Sequence, residues 1–150
     1  MLETFHSGVA LYSMARQTNK KKYKKHANRI RRTIDDWIQK GNPNVKHYQC
    51  LLNAEQAVLD EDYEEAEKLY RGAIALAART GYLQDAGLAN ERYADFLFQV
   101  LSKEYEANYH IQEAIKFYKE WGAEAKAQFL SESWHRSLVS YFRKRNTTYP

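Results

Sequence analysis

A chain of 150 residues is long enough for one domain with a core of its own, because folding hides about 70% of the unfolded surface at this size. Two prolines and six glycines leave too little punctuation for the many short strands of a sandwich or barrel, and a single cysteine excludes an internal disulfide. The formal charge of +4 conceals a local patch: Arg16 to Arg32 carries nine Lys/Arg and no acid, whereas the chain from Thr33 onward carries fourteen basic and eighteen acidic residues.

No apolar run approaches the ~20 residues that a membrane span requires, and the N-terminus lacks the basic-then-apolar order of a signal peptide. An intracellular, cytoplasmic protein is therefore expected. Cys50 reads as a small buried hydrophobe.

From Glu3 to Arg16, Phe5, Val9, Leu11, Tyr12 and Ala15 recur at steps that mark one face of a first helix. Tyr23, Ala27, Ile30, Ile34, Trp37 and Ile38 define a second, stopped by Gly41-Asn42-Pro43. Asn44 is a candidate cap for a third, with Tyr48, Leu51, Leu52, Ala54, Val58 and Leu59 inward, ending at the acidic turn Asp60-Glu61-Asp62. The fourth buries Tyr63, Ala66, Tyr70, Ala73, Ile74 and Ala77, places Glu64, Glu65 and Glu67 near its positive N-terminal dipole, and closes at Thr80-Gly81.

A fifth helix is expected over 83–101 with Ala86, Ala89, Tyr93, Phe96, Leu97 and Val100 inward, breaking near Ser102. The sixth, over 103–121, carries Ala107, Ile111, Ala114, Ile115 and Tyr118, and Gly122 ends it. The last, over 123–145, presents Ala127, Leu130, Trp134, Leu138 and Tyr141, with 146–150 as a polar tail. Connections this short force antiparallel neighbours.

The even-numbered helices share a small residue followed seven positions later by another small or aliphatic one: Ala27 with Ile34, Ala66 with Ala73, Ala107 with Ala114. The unit recurs about every 40 residues, a period characteristic of stacked helical repeats. In the middle unit, Asp62-Tyr63-Glu64-Glu65-Ala66 followed by Tyr70 and Ala73, with Ala54 in the preceding helix, resembles a tetratricopeptide repeat. That resemblance implies an all-α fold, a tetratricopeptide-like α-solenoid of about three antiparallel helical hairpins plus a C-terminal helix, about seven helices in a single repeat domain over 1–145.

Glu67-Lys68-Leu69-Tyr70, Ala73 to Ala77, Leu88-Ala89-Asn90-Glu91, and Tyr118 with the following Trp121-Gly122-Ala123-Glu124-Ala125-Lys126 resemble the helical-repeat region of very large signalling proteins. In that family the repeats lie downstream of a serine/threonine kinase domain and a predicted AAA-type ATPase, and often upstream of GAF and histidine-kinase modules. None of those enzymatic modules is present here, so the resemblance implies scaffold or sensor-relay duty.

Catalytic signals are weak. The chain has no phosphate-cradling glycine loop and no HExxH helix. His47 and Cys50 stand three apart, but structural zinc takes four ligands and no second pair is near, so no metal or cofactor is expected. His6, His26, His47, His110 and His135 are scattered over separate helices and read as surface or boundary residues. Asp35-Asp36 and Glu64-Glu65 are neighbours that point about 100° apart on a helix, which makes solvated faces and not a two-carboxylate site.

Two binding surfaces are expected. Lys20, Lys21, Lys22, Lys24, Lys25, Arg29, Arg31 and Arg32 occupy the helix positions left free by Tyr23, Ala27, Ile30 and Ile34, forming the outer face of the second helix. The plainest reading of such a face is solvation; as a binding surface it would attract an acidic protein or domain, with a phosphate backbone as the alternative. Tyr23 interleaves it at core spacing and is a poor stacking platform. In a solenoid the first helix of each hairpin lines the inner groove, which nominates Gln49, Asn53, Gln56, Asn90, Glu91 and Arg92 as partner-binding residues. The C-terminal helix, with Trp134, Leu138, Tyr141 and Phe142 on one side, is expected to cap the array, with a docked partner chain as the alternative. The function expected is a non-catalytic interaction or scaffold module that binds another protein.

Overall fold

Turns set the plan of this chain, and each of six holds one residue in the left-handed backbone region. In a computed structural model that describes residues 1–147, those residues are Asn19, Gly41, Glu61, Gly81, Ser102 and Gly122, spaced about 20 apart. Each sits where a helix has just ended, so the chain reverses there and the helix C-terminal carbonyls are met by backbone N–H groups of the turn. Asn19 N donates to Ala15 O at 2.9 Å, Tyr82 N to Ala77 O at 2.9 Å, and Ala123 N to Tyr118 O at 2.8 Å.

Seven α-helices result among the described residues, with no strand: α1 (Leu2–Thr18), α2 (Lys21–Gln39), α3 (Lys46–Leu59), α4 (Tyr63–Arg79), α5 (Leu83–Gln99), α6 (Glu104–Trp121) and α7 (Glu124–Thr147). Within the units, α1 and α2, α3 and α4, and α6 and α7 pack as antiparallel neighbours. Residues 148–150 of the expected tail lie outside the described residues, and Asn146 and Thr147 belong to α7. No helix among the described residues is long and apolar enough to cross a membrane.

One expected start moves. Asn44 does not cap α3; Pro43–Val45 form a short 3₁₀ turn and α3 begins at Lys46. Proline's fixed φ and missing N–H suit the first position of such a turn, while Val45 is drawn into the core and Asn44 is left exposed. The α4 start is sharper: Asp62 Oδ1 accepts from Glu65 N at 3.3 Å, a side-chain cap reinforced by Glu64 and Glu65 in the first turn.

The chain divides into two compact units, one of residues Met1–Asp85 and the other from Ala86 onward, with the boundary inside α5. In the first, α1 packs on α2, α3 on α4, and α3 also on α1 and α2. Small residues let these helices approach: Ala27, Ala54, Ala66 and Ala73 are fully buried, and a Cβ on Gly8 would lie 3.0 Å from Ile30 Cγ2 and 3.2 Å from Leu52 Cδ2. Tyr12 and Tyr70 fill the spaces beside them. Tyr12 donates its hydroxyl to Asn28 Oδ1 at 2.8 Å, and burial pushes its pKa up to about 12.

In the second unit α6 packs on α7, and Ala107, Ala114 and Ala127 are fully buried. A Cβ on Gly87 would meet the Tyr118 ring at 2.8 Å, so α5 needs glycine there. Phe98 lies edge-on to Trp134, with ring centroids 5.0 Å apart, and also against Tyr141 at 5.1 Å. The aromatic face of α7 therefore closes this unit, although Phe142 stays exposed.

Glu61 and Ser102 hold φ values of 59° and 54°, where a side chain costs roughly 1 kcal/mol relative to glycine. Glu61→Gly and Ser102→Gly should each raise stability by about 0.5–1 kcal/mol in urea unfolding monitored by circular dichroism. A loss of stability in both would contradict the role assigned to these turns.

Candidate functional site

The basic stretch is split by its neighbours into two sets. Lys24 and Arg31 are paired within the unit, Lys24 at the exposed surface: Lys24 Nζ meets Asp60 Oδ1 at 2.9 Å, and Arg31 Nη1 donates to Asn53 Oδ1 at 3.2 Å while lying 3.8 Å from Asp35 Oδ2. They are drawn to α3 because their positions on α2 bring them beside its polar stripe. Hydrogen bonds from Gln56 and from Lys24 hold the Asp60 carboxyl below its usual pKa.

The other set remains solvated. Lys20, Lys21, Lys22, Lys25, Arg29 and Arg32 are exposed and form no ion pair among the described residues. Lys21, Lys25, Arg29 and Arg32 recur at steps of four, four and three, which aligns them in one row along α2. Lys22 folds over the Tyr23 ring, 4.9 Å from its centroid.

The three α3 candidates lie on the stripe that meets α2. Gln49 donates to Asp35 Oδ1 at 2.7 Å, Asn53 accepts from Arg31, and Gln56 donates to Asp60 Oδ2 at 2.8 Å. Their side chains are thus engaged within the first unit.

A buried carboxylate links three helices nearby. Glu55 of α3 is 0% exposed, accepts the Tyr70 hydroxyl of α4 at 2.9 Å, and pairs with Arg16 Nη1 of α1 at 3.4 Å. The sequence signal for it was an acid set inside the apolar stripe of Leu51, Leu52, Ala54 and Val58. His47, expected at the surface or a boundary, is 6% exposed: its Nε2 donates to Asp85 Oδ2 at 2.8 Å, and its ring stacks on Tyr82 at 4.9 Å. The carboxylate compensates for burying the imidazole, and the enclosed ring offers no approach to a substrate. Among the described residues no group of three His, Cys, Asp or Glu is placed to hold a metal ion.

The second unit separates its three candidates. Asn90 is 1% exposed and internal: Nδ2 donates to Ala86 O at 2.9 Å, which leaves Oδ1 to accept from His110 Nδ1 at 2.8 Å. Glu91 and Arg92 come together at a cleft of about 180 Å³ between α5 and α7. Glu91 is fixed by the Tyr118 hydroxyl at 2.7 Å and Lys126 Nζ at 3.2 Å, and Arg92 Nη1 lies 3.6 Å from Asp95 Oδ2.

Asp95 and Phe98 continue the α5 wall, and Ser133, Trp134 and Ser137 form the wall from α7. Asp95 follows Glu91 by four residues and so shares its face, a spacing visible in the sequence. The α7 wall carried no such signal, because which two helices face each other is a tertiary fact.

No family model matches the chain, and neither a curated protein nor a solved structure is detectably similar to it.

Removing Glu55 leaves the Arg16 charge without its buried partner, so Glu55→Ala should lower unfolding free energy by about 3 kcal/mol, while Tyr70→Phe, which deletes one hydrogen bond, should cost about 1 kcal/mol. Chemical denaturation of the two variants measures both. An unchanged midpoint for Glu55→Ala would refute the bridging role.

Proposed function

We propose that the chain is a non-catalytic protein-interaction module, and that the exposed row on α2 receives an acidic segment of a partner protein or domain. The observation that carries this reading is the unpaired row itself: Lys21, Lys25, Arg29 and Arg32 stand exposed on one face, while Lys24 and Arg31 beside them have found partners. Like charges at such helical spacing destabilise a helix by roughly 0.2–0.5 kcal/mol per pair. The first turn of α2 has no acid, so its lysines also oppose the helix dipole. An anionic partner relieves both costs, whereas the isolated chain bears them.

The tetratricopeptide-like reading of the hairpins belongs to the same proposal. It is supported by the turn residues: the first, third and fifth turns use Asn19, Glu61 and Ser102, and the second, fourth and sixth use glycine, so the pattern repeats about every 40 residues. The burial of Ala27, Ala66 and Ala107 at equivalent positions agrees with it. With the resemblance to the repeat regions of large signalling proteins, this makes scaffold duty the natural setting.

Nucleic acid is the second reading, favoured by the run of nine cations without an acid. Acidic protein is preferred because Asp36 continues the exposed row beyond Arg32, and Asp60 lies beside Lys24, where a long polyanion would be repelled. The row also lacks an exposed aromatic for stacking.

Fluorescence anisotropy with a labelled twelve-residue poly-glutamate peptide and with a 20-base-pair RNA duplex separates these readings. The peptide should bind in low salt, weaken as salt rises, and lose at least tenfold affinity in the triple variant Lys21→Glu, Lys25→Glu, Arg29→Glu. Preference for the duplex would favour the second reading, and an unaffected triple variant would contradict both.

A further inference from the structure

The outer face of α7 carries two arginines that no acid of the chain meets. From Ser133 to Thr147 the sequence has no Asp or Glu. Arg136 and Arg143 are exposed, stand two helical turns or about 10 Å apart, and make no ion pair among the described residues. With Val139 and Ser140 between them they take positions i, i+3, i+4 and i+7, the four corners of the hole that receives a knob side chain when two helices pack. His135 adds one side to this dent, which measures about 340 Å³. Its middle is apolar, Val139 being 44% exposed, and its rim is cationic.

Such a hole suits a helix that offers an apolar knob between two acids set seven residues apart. The chain has one on the outer face of α6: Tyr109 is 60% exposed and stands between Glu106 and Glu113, which have that spacing. Within one copy, α6 meets α7 through another side, where Asn108 accepts the Trp134 indole N–H at 2.9 Å and Glu104 pairs with Arg145 at 3.4 Å. Glu113 makes no ion pair among the described residues, and Glu106 lies 3.9 Å from Lys103 in a part-exposed contact worth at most about 1 kcal/mol. Charge also selects the direction of packing. Laid antiparallel with Tyr109 over Val139 and Ser140, Glu113 meets Arg136 and Glu106 meets Arg143, while Lys116, one heptad beyond Tyr109 on the same face, falls opposite the exposed Glu132. Laid parallel, Lys116 would fall beside Arg145 instead.

We propose that the outer face of α6 in one copy docks into the α7 hole of a second copy, so that the chain associates with itself head to tail. The two copies contribute different faces to each contact, so a dimer leaves one face of each kind open and further copies add. Tyr109 thereby exchanges solvent for a packed contact, and the two arginines gain acids on either side of it. This association does not use the α2 row and stands whether or not that row binds an acidic segment.

Sedimentation velocity of the whole chain, from micromolar to millimolar concentration, tests this. The weight-average sedimentation coefficient should climb with concentration past that of a dimer and fall back as salt is added. The double variants Arg136→Glu with Arg143→Glu, and Glu106→Arg with Glu113→Arg, should each associate at least about tenfold more weakly, with unchanged circular dichroism spectra. An equimolar mixture of the two should assemble again, because each then meets the opposite charge. The triple variant Lys21→Glu, Lys25→Glu, Arg29→Glu should assemble like the native chain. A native chain that stays monomeric would overturn the proposal and leave the α7 face to an acidic helix of another protein. Association that survives both double variants, association that the α2 variant abolishes, or a mixture of the double variants that stays monomeric would each overturn it as well.

Discussion

The constraint on which the rest depends is a backbone conformation: at the end of each of the first six helices, one residue must enter the left-handed region so that the chain can turn back. Only there do the last carbonyls of a helix find donors while the next helix starts within a few residues. Glycine meets that demand at three turns, and Asn19, Glu61 and Ser102 meet it at some cost at the others. Short turns bring consecutive helices side by side, and the buried alanines then allow their backbones to approach. Neither feature suffices by itself. A close-packing face without the turn has no neighbour, and a turn without small residues holds its helices apart.

Charge follows from that packing. Because α2 lies along α3, two of its eight candidate cations reach acceptors there and six do not, so a basic run that looks uniform is divided into a structural pair and a solvated row. Burial acts similarly on Glu55 and His47, which are held in the interior by Arg16 with Tyr70 and by Asp85. In the second unit the acids on α5 are paired too, Glu91 with Lys126 and Asp95 with Arg92.

Much of the helical plan was legible in the sequence because apolar spacing is local: Tyr63 to Ala77 could form only a helix, and the helix ends expected from Gly, Asn and Ser fall within about two residues of those observed. The start of α3 was missed because Val45, not Asn44, decides it, and burial of one side chain outweighs a capping preference. The candidate sites were less legible. Nothing local tells which of Lys21, Lys24 and Lys25 will meet an acid, since the acid, Asp60, lies 36 residues away. Glu91 and Arg92 were found by their position on a first helix of a hairpin, whereas Ser133, Trp134 and Ser137 became part of the same cleft only through the path of α7.

The most direct measurement compares Gly81→Ala with Gly72→Ala. An added Cβ meets nothing within 4 Å at either position, but Gly81 has φ of 79° in a turn and Gly72 lies inside α4. If left-handed turns govern the architecture, Gly81→Ala lowers unfolding free energy by about 1 kcal/mol and Gly72→Ala raises it by a similar amount. Stabilisation by both substitutions would contradict the account.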